Sequence, residues 1–150
     1  MAKKTDELNK LLENTTPDKI AEYLDSNKTD LKNAKKSFYY YMKDVLDDKR
    51  ILLKDVYSFA GVSESYGEQI LRMEKHTKNR DLIIRFCIAG HFDLYETNKA
   101  LKLYGMSPLY SRDARDVCLI VAINKRIFDF GEIDRMLMDN KLKQITPKIK

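Results

Sequence analysis

The sequence predicts an all-α fold: a single compact helical bundle with extra helices at both ends. Three observations carry this. Apolar residues recur at i, i+3, i+4 and i+7 along most of the chain, the pattern of amphipathic helices. Only five Gly and three Pro occur among 150 residues, and most stand between the periodic stretches. Charged residues make up 34% of the chain beside 43% apolar ones, which suits solvated helix faces around one core of ordinary domain size.

Asp6 to Glu13 reads as a short amphipathic helix with Leu8, Leu11 and Leu12 on one side. Thr16-Pro17 is a helix start, because Thr can cap and Pro suits the first helical position. The helix it opens is expected to turn Ile20, Ala21 and Leu24 inward, and a polar break follows at residues 26–32. The next helix spans about Asn33 to Asp48, with Ala34, Phe38, Tyr41, Met42 and Val45 at helical spacing. Its run Phe38-Tyr39-Tyr40-Tyr41 could offer stacking faces to nucleic-acid bases, but it follows the apolar stripe and reads as core.

Leu52 to Ala60 is a short helix with Leu52, Leu53, Val56 and Phe59 apolar, closed by Gly61 in a left-handed conformation. Ser63 caps a second short helix reaching about Glu74, with Tyr66, Ile70 and Met73 on one face. Asn79 to Ala89 is a third, with Leu82, Ile83, Phe86 and Cys87 apolar and Gly90 at its end. Asp93 caps a fourth, in which Leu94, Thr97, Leu101 and Tyr104 share a face and Gly105 closes the turn. Ser111 begins another. Its apolar run Val117–Ile123 could be a buried strand, but Asp113 and Asp116 near one end and Lys125 and Arg126 at the other match a helix dipole. Phe130 to Leu142 is the last helix, with Ile133, Leu137 and Met138 inward. No internal repeat stands out. The chain thus divides into an N-terminal helical extension (1–32), a helical domain (33–145) and a loose basic tail (146–150).

The net charge of +5 is largely a tail effect, since the last ten residues hold Lys141, Lys143, Lys148 and Lys150 with no acid. The body is near neutral, so the basic pI is no argument for nucleic acid. The N-terminus lacks the apolar region of a signal peptide, and no apolar run is long enough to span a bilayer. A cytoplasmic protein with no membrane role is expected. Cys87 and Cys118 lie in apolar stretches and read as core thiols, with one disulfide between them open. His76 and His91 fall on separate loops without metal-ligand spacing. Arg112, Asp113, Arg115 and Asp116 read as a charged helix start with ion pairs. No P-loop, nucleophile elbow or dinucleotide fingerprint occurs. No enzyme activity, cofactor or metal is expected.

The segment from Leu52 to Glu74 has the grammar of a helix-turn-helix. A helix of about two turns ends in Ala60-Gly61-Val62, and a capped second helix follows at once. Val62 and Ile70 can lock the pair, leaving one face of the second helix outward, the face that enters a major groove in such motifs. The stretch also resembles the lambda-repressor-like (Cro/C1-type, XRE) family of bacterial regulators. The residues that carry the resemblance are the Ala60-Gly61-Val62-Ser63 turn, Ser65-Tyr66-Gly67 with Gln69-Ile70, Arg80-Asp81, Glu96-Thr97, Leu109-Tyr110 and Arg115-Asp116, over roughly residues 38–125.

The resemblance implies sequence-specific binding of double-stranded DNA in transcription regulation, by a homodimer. Carried over by position, Ser63, Glu64, Ser65 and Gln69 would face the groove, Gln69 meeting an adenine edge. Arg72, Lys75, Lys78 and Arg80 would lie near phosphates. In that family a small residue packs between the two motif helices, a Gly closes the second, and a Gln starts the first. The corresponding positions here are Tyr57, Met73 and the Leu52-Leu53 region. Glu64 and Glu68 put acids on the presumed reading face, the pattern of the other expectation: a module on the same fold that binds a protein partner and no DNA.

Overall fold

The computed structural model describes residues 5–26 and 36–147, and the regular elements in these stretches are all helical. They run α1 (Thr5–Glu13), a 3-10 turn (Pro17–Lys19), α2 (Ile20–Ser26), α3 (Ser37–Lys49), α4 (Leu53–Ala60), α5 (Glu64–Leu71), α6 (Arg80–Ala89), α7 (Leu94–Leu103), α8 (Ala114–Asn124) and α9 (Phe130–Asp139). The predicted start at Asn33–Ala34, the break at 27–32 and Lys148 and Lys150 of the tail lie outside the described residues. None of the helices in the described stretches is long and apolar enough to cross a membrane.

Local chemistry sets the helix ends. Ser63, Asn79, Asp93, Asp113 and Asp129 each accept a backbone N–H of the helix they open, and Asp93 forms a full capping box with Glu96. Each such cap stabilises by about 1 kcal/mol. Gly61 and Gly105 take the left-handed conformation at φ 82° and 87°. Gly90 does not: the left-handed residue after α6 is His91, at φ 59°. Thr16 precedes its turn without capping a backbone amide, and its hydroxyl turns to Asp18 instead. α8 starts at Ala114 under Asp113, not at Ser111, which lies in the turn closed by the Asp113 amide on the Tyr110 carbonyl.

The core forms where α4 packs across α6, α6 against α7, and α3 against α7. Phe38 meets Tyr104 edge-on at 4.8 Å, and Tyr41 meets Phe92 at 6.5 Å. The aromatic run of α3 is therefore core and its margin. The two cysteines are free and buried. Several apolar residues expected inside are not. Ile20 and Leu24 of α2 are 53% and 46% exposed, and Leu11 and Leu12 of α1 also face solvent. Ala21 and Met138, also expected inward, are exposed as well, as are the apolar Leu52 and Phe59. α1 is tied to α3 by Thr5, whose amide and hydroxyl both donate to Asp44 at 3.3 Å. At the other end the first tail residue is less loose than expected: Thr146 donates its amide to Asp134 at 3.4 Å and its hydroxyl to the same carboxylate.

The structure also holds an internal repeat, against the reading that none stands out. α6–α7 and α8–α9 are two copies of one helical hairpin. Arg80-Asp81 of the first corresponds to Arg115-Asp116 of the second, and Phe92-Asp93-Leu94-Tyr95-Glu96 to Phe128-Asp129-Phe130-Gly131-Glu132. The left-handed residues match, His91 with Arg126 and Gly105 with Lys141. So do the hydrogen bonds. Arg80 donates to the carbonyls of Ser107 and Pro108 at 3.0 Å, and Arg115 to those of Lys143 and Gln144 at 2.9 Å. The Leu109 amide donates to Asn98 at 2.8 Å, as the Ile145 amide does to Asp134 at 2.7 Å. The hairpins are clasped reciprocally: Arg80 forms a bidentate pair with Asp116, and Arg115 one with Asp81. Such an exchange is what a local two-fold axis between two like units produces.

Candidate nucleic-acid interface

The geometry of the helix-turn-helix begins at Gly61 and Ser63. Gly61 reverses the chain without strain, and Ser63 Oγ accepts the Tyr66 amide at 3.1 Å to open α5. The helices then approach closely because Gly67 has no side chain. A Cβ there would sit 2.3 Å from Cδ1 of Tyr57. The large residue of this contact stands on α4 and the missing side chain on α5. Behind the turn, the buried Arg85 donates to the Ala60 carbonyl at 2.9 Å, satisfying one of the acceptors left free at the end of α4.

Tyr57 carries this contact to the surface. Its hydroxyl donates to Glu68 Oε2 at 3.3 Å, and Glu68 Oε1 takes the Nε–H of Arg72. Burial, then the Glu68 charge, push the Tyr57 phenol well above its ordinary value. The Arg72 guanidinium lies 4.9 Å from the centre of the Tyr39 ring. Glu68 is therefore one link of a Tyr57–Glu68–Arg72–Tyr39 chain and not a free acid.

The eight residues assigned from sequence divide into three groups. Ser63, Glu64 and Ser65 are exposed at the start of α5, and Gln69 is half-buried one turn on from Ser65. Ser63 spends its acceptor on the cap. Lys75 and Lys78 are exposed in the loop after α5. That loop is held by the Thr77 amide on the Tyr104 hydroxyl at 2.9 Å and by His76 stacked on the Tyr104 ring at 4.8 Å. Arg72 and Arg80 form the third group, and both are engaged within the protein. Arg80 directs four hydrogen bonds to Asp116, Ser107 and Pro108. A guanidinium has five N–H donors, so little of it is left for a phosphate. The polar character of Arg80 at a helix start suggested phosphate; its partners lie 27 to 36 residues away in sequence, where local reading cannot reach.

Two features escaped the sequence reading. The Arg–Asp clasp was signalled by the repeated Arg-Asp dipeptide at helix starts. A groove of about 420 Å³ between α8 and α9, lined by Val117, Cys118, Val121, Met136, Asn140 and Leu142, had no local signal. No protein-family model, curated protein or solved structure matches the chain.

Proposed function

We propose that the chain binds double-stranded DNA sequence-specifically through α5, as a transcription regulator. The observation that supports this is the α4–Gly61–Ser63–α5 unit: two short helices joined by a tight turn, the second capped and outward at Glu64, Ser65 and Gln69. Gln69 supplies the amide suited to an adenine edge, and Glu64 an acceptor suited to cytosine N4. Lys75 and Lys78 are the cations near the end of α5 with no carboxylate partner among the described residues, and they meet the backbone. Two phosphate contacts of this kind give a shallow salt dependence, about 0.9 in log–log slope each, and weak non-specific binding by one copy.

The same arrangement also favours a second reading, a protein-binding module on this fold. Arg72 and Arg80 are bound within the chain and Glu64 is exposed. Fluorescence anisotropy separates the two, using a duplex from upstream of the chain's own coding region beside a scrambled duplex over a salt series. Under the DNA reading the native duplex binds more tightly. Gln69→Ala then brings the two duplexes together, and Lys78→Ala weakens both and lowers the salt slope by about one unit. Absence of binding at low salt transfers the proposal to the protein module, in which Glu64→Lys abolishes partner recovery.

A further inference from the structure

The internal repeat identifies an interaction surface. The two hairpins are alike, but their outer faces are treated differently. In the first, Leu82 and Phe86 of α6 and Tyr104 after α7 are no more than 2% exposed, because α3 and α4 lie on them through Phe38 and Tyr57. The corresponding residues of the second are Val117 and Val121 of α8 and Asn140 after α9. Val117 and Val121 are 40% and 45% exposed, and all three line the open α8–α9 groove. The face that takes two helices in one hairpin is therefore bare in the other, and its apolar lining is spaced for a helix: Ala114, Val117, Cys118 and Val121 form one stripe.

The chain carries helices of the matching kind. α1 contains no buried residue, none of residues 20–25 of α2 is buried, and the two helices present Leu11, Leu12, Ile20 and Leu24 to solvent. Their charge is opposite to that around the groove. Residues 5–26 hold Asp6, Glu7, Glu13, Asp18, Glu22 and Asp25 against Lys10 and Lys19. Next to the groove residues in sequence stand the exposed Arg112, Lys125, Arg135, Lys141 and Lys143 against Asp113, Glu132 and Asp139. α1 is hydrogen-bonded to α3 at Asp44, on the body of its own chain and away from α8 and α9 in sequence.

We propose that the α8–α9 groove receives the α1–α2 segment of a second copy, in a reciprocal dimer with two equal contacts. Each contact repeats between chains what α3 and α4 do for α6–α7 within one. The apolar stripe of the acidic segment covers Val117 and Val121, and its carboxylates meet the lysines of the rim. This inference does not depend on DNA binding.

Light scattering coupled to size exclusion, with sedimentation equilibrium across a concentration series, tests it on the full chain. The unaltered protein is expected to be a dimer. Val117→Glu with Val121→Glu should give a monomer, and so should Ile20→Glu with Leu24→Glu. All four side chains are exposed, so each variant should stay folded and unfold in one cooperative transition. Mixing the two monomeric variants should restore a heterodimer, because one intact segment then faces one intact groove. A monomeric unaltered chain overturns the proposal. So does an Ile20→Glu/Leu24→Glu variant that remains dimeric, which would mean groove against groove. Failure of the mixed variants to associate overturns it as well.

Discussion

At the scale of single residues, the helix-turn-helix rests on one exchange of size. A large Tyr57 on α4 and a bare Gly67 on α5 fill the space that a small residue on the first helix would otherwise leave for the second. The contact is tight because Tyr57 is buried beside Phe86, at 6.1 Å between ring centres, and its hydroxyl is tied to Glu68. The ring cannot swing aside without giving up both. Gly67→Ala should therefore destabilise by about 1–3 kcal/mol, the range of overpacking, although Ala is the better helix former. Tyr57→Leu in the Gly67→Ala background should recover part of the loss, since the two sites share one space and cannot behave additively. Urea unfolding of the single and double variants checks this. A neutral Gly67→Ala would mean that the helices are not held at this separation.

At the scale of elements, the clasp between the two hairpins is the feature that departs most from a local reading. Asp116 has only 7% of its side chain exposed and Arg80 28%, whereas Arg115 and Asp81 are exposed at 22% and 23%. Removing Arg80 leaves the more deeply buried carboxylate without its main partner, so Arg80→Ala should cost about 3–5 kcal/mol. A double-mutant cycle with Asp116→Ala should return a coupling of about 1–3 kcal/mol, larger than that for Arg115 with Asp81. If Arg80→Ala leaves stability unchanged and only weakens DNA binding, the phosphate role returns to it. The helices from α4 on, the caps at Ser63 and Asp93 and the Ala60-Gly61-Val62-Ser63 turn were legible in the sequence, because a cap or a left-handed turn is decided by residues within one helical turn. The burial of α1 and α2 was not. Periodicity marks Leu11, Leu12, Ile20 and Leu24 as one-sided, but it does not say whether anything lies on that side. The repeat was hidden for a related reason. Much of what it keeps is main-chain: the carbonyls of Ser107, Pro108, Lys143 and Gln144 accept whatever side chains those residues carry. Selection on geometry leaves the intervening sequence free, and only the Arg-Asp, Phe-Asp, Glu and Leu positions remain visible.

At the scale of the whole molecule, the motif and the C-terminal hairpin are joined by Arg85. Its Nε–H donates to the end of α4 at Ala60, and its Nη1–H donates to the Ile145 carbonyl at 3.0 Å. Burial works against its charge, which Asp81 and Asp134 support from further off. The turn that sets α5 and the segment that closes α9 thus share one buried cation, and acid should be felt by both through a single unfolding transition. Two groups predict the form of that response. Burial, then Arg126 and Lys49, hold the His91 imidazole below its ordinary value. The unfolded chain therefore takes up the His91 proton first, and stability should fall as pH drops through about 6.5. For Asp116, burial alone would raise the carboxyl, but the Arg80 guanidinium, the Tyr110 amide and Arg115 outweigh it and leave it below the usual carboxylate value. Its contribution is complete above about pH 4 and is lost as pH falls further. The urea midpoint, followed from about pH 8 to about pH 3, should decline in two separate limbs. His91→Asn keeps a residue that tolerates the left-handed backbone, so it should flatten the upper limb and leave the lower one in place. A midpoint that rises between about pH 7 and 5 would contradict the cationic surroundings assigned to His91. A lower limb that survives Asp116→Asn would place the acid-sensitive link elsewhere than in the clasp.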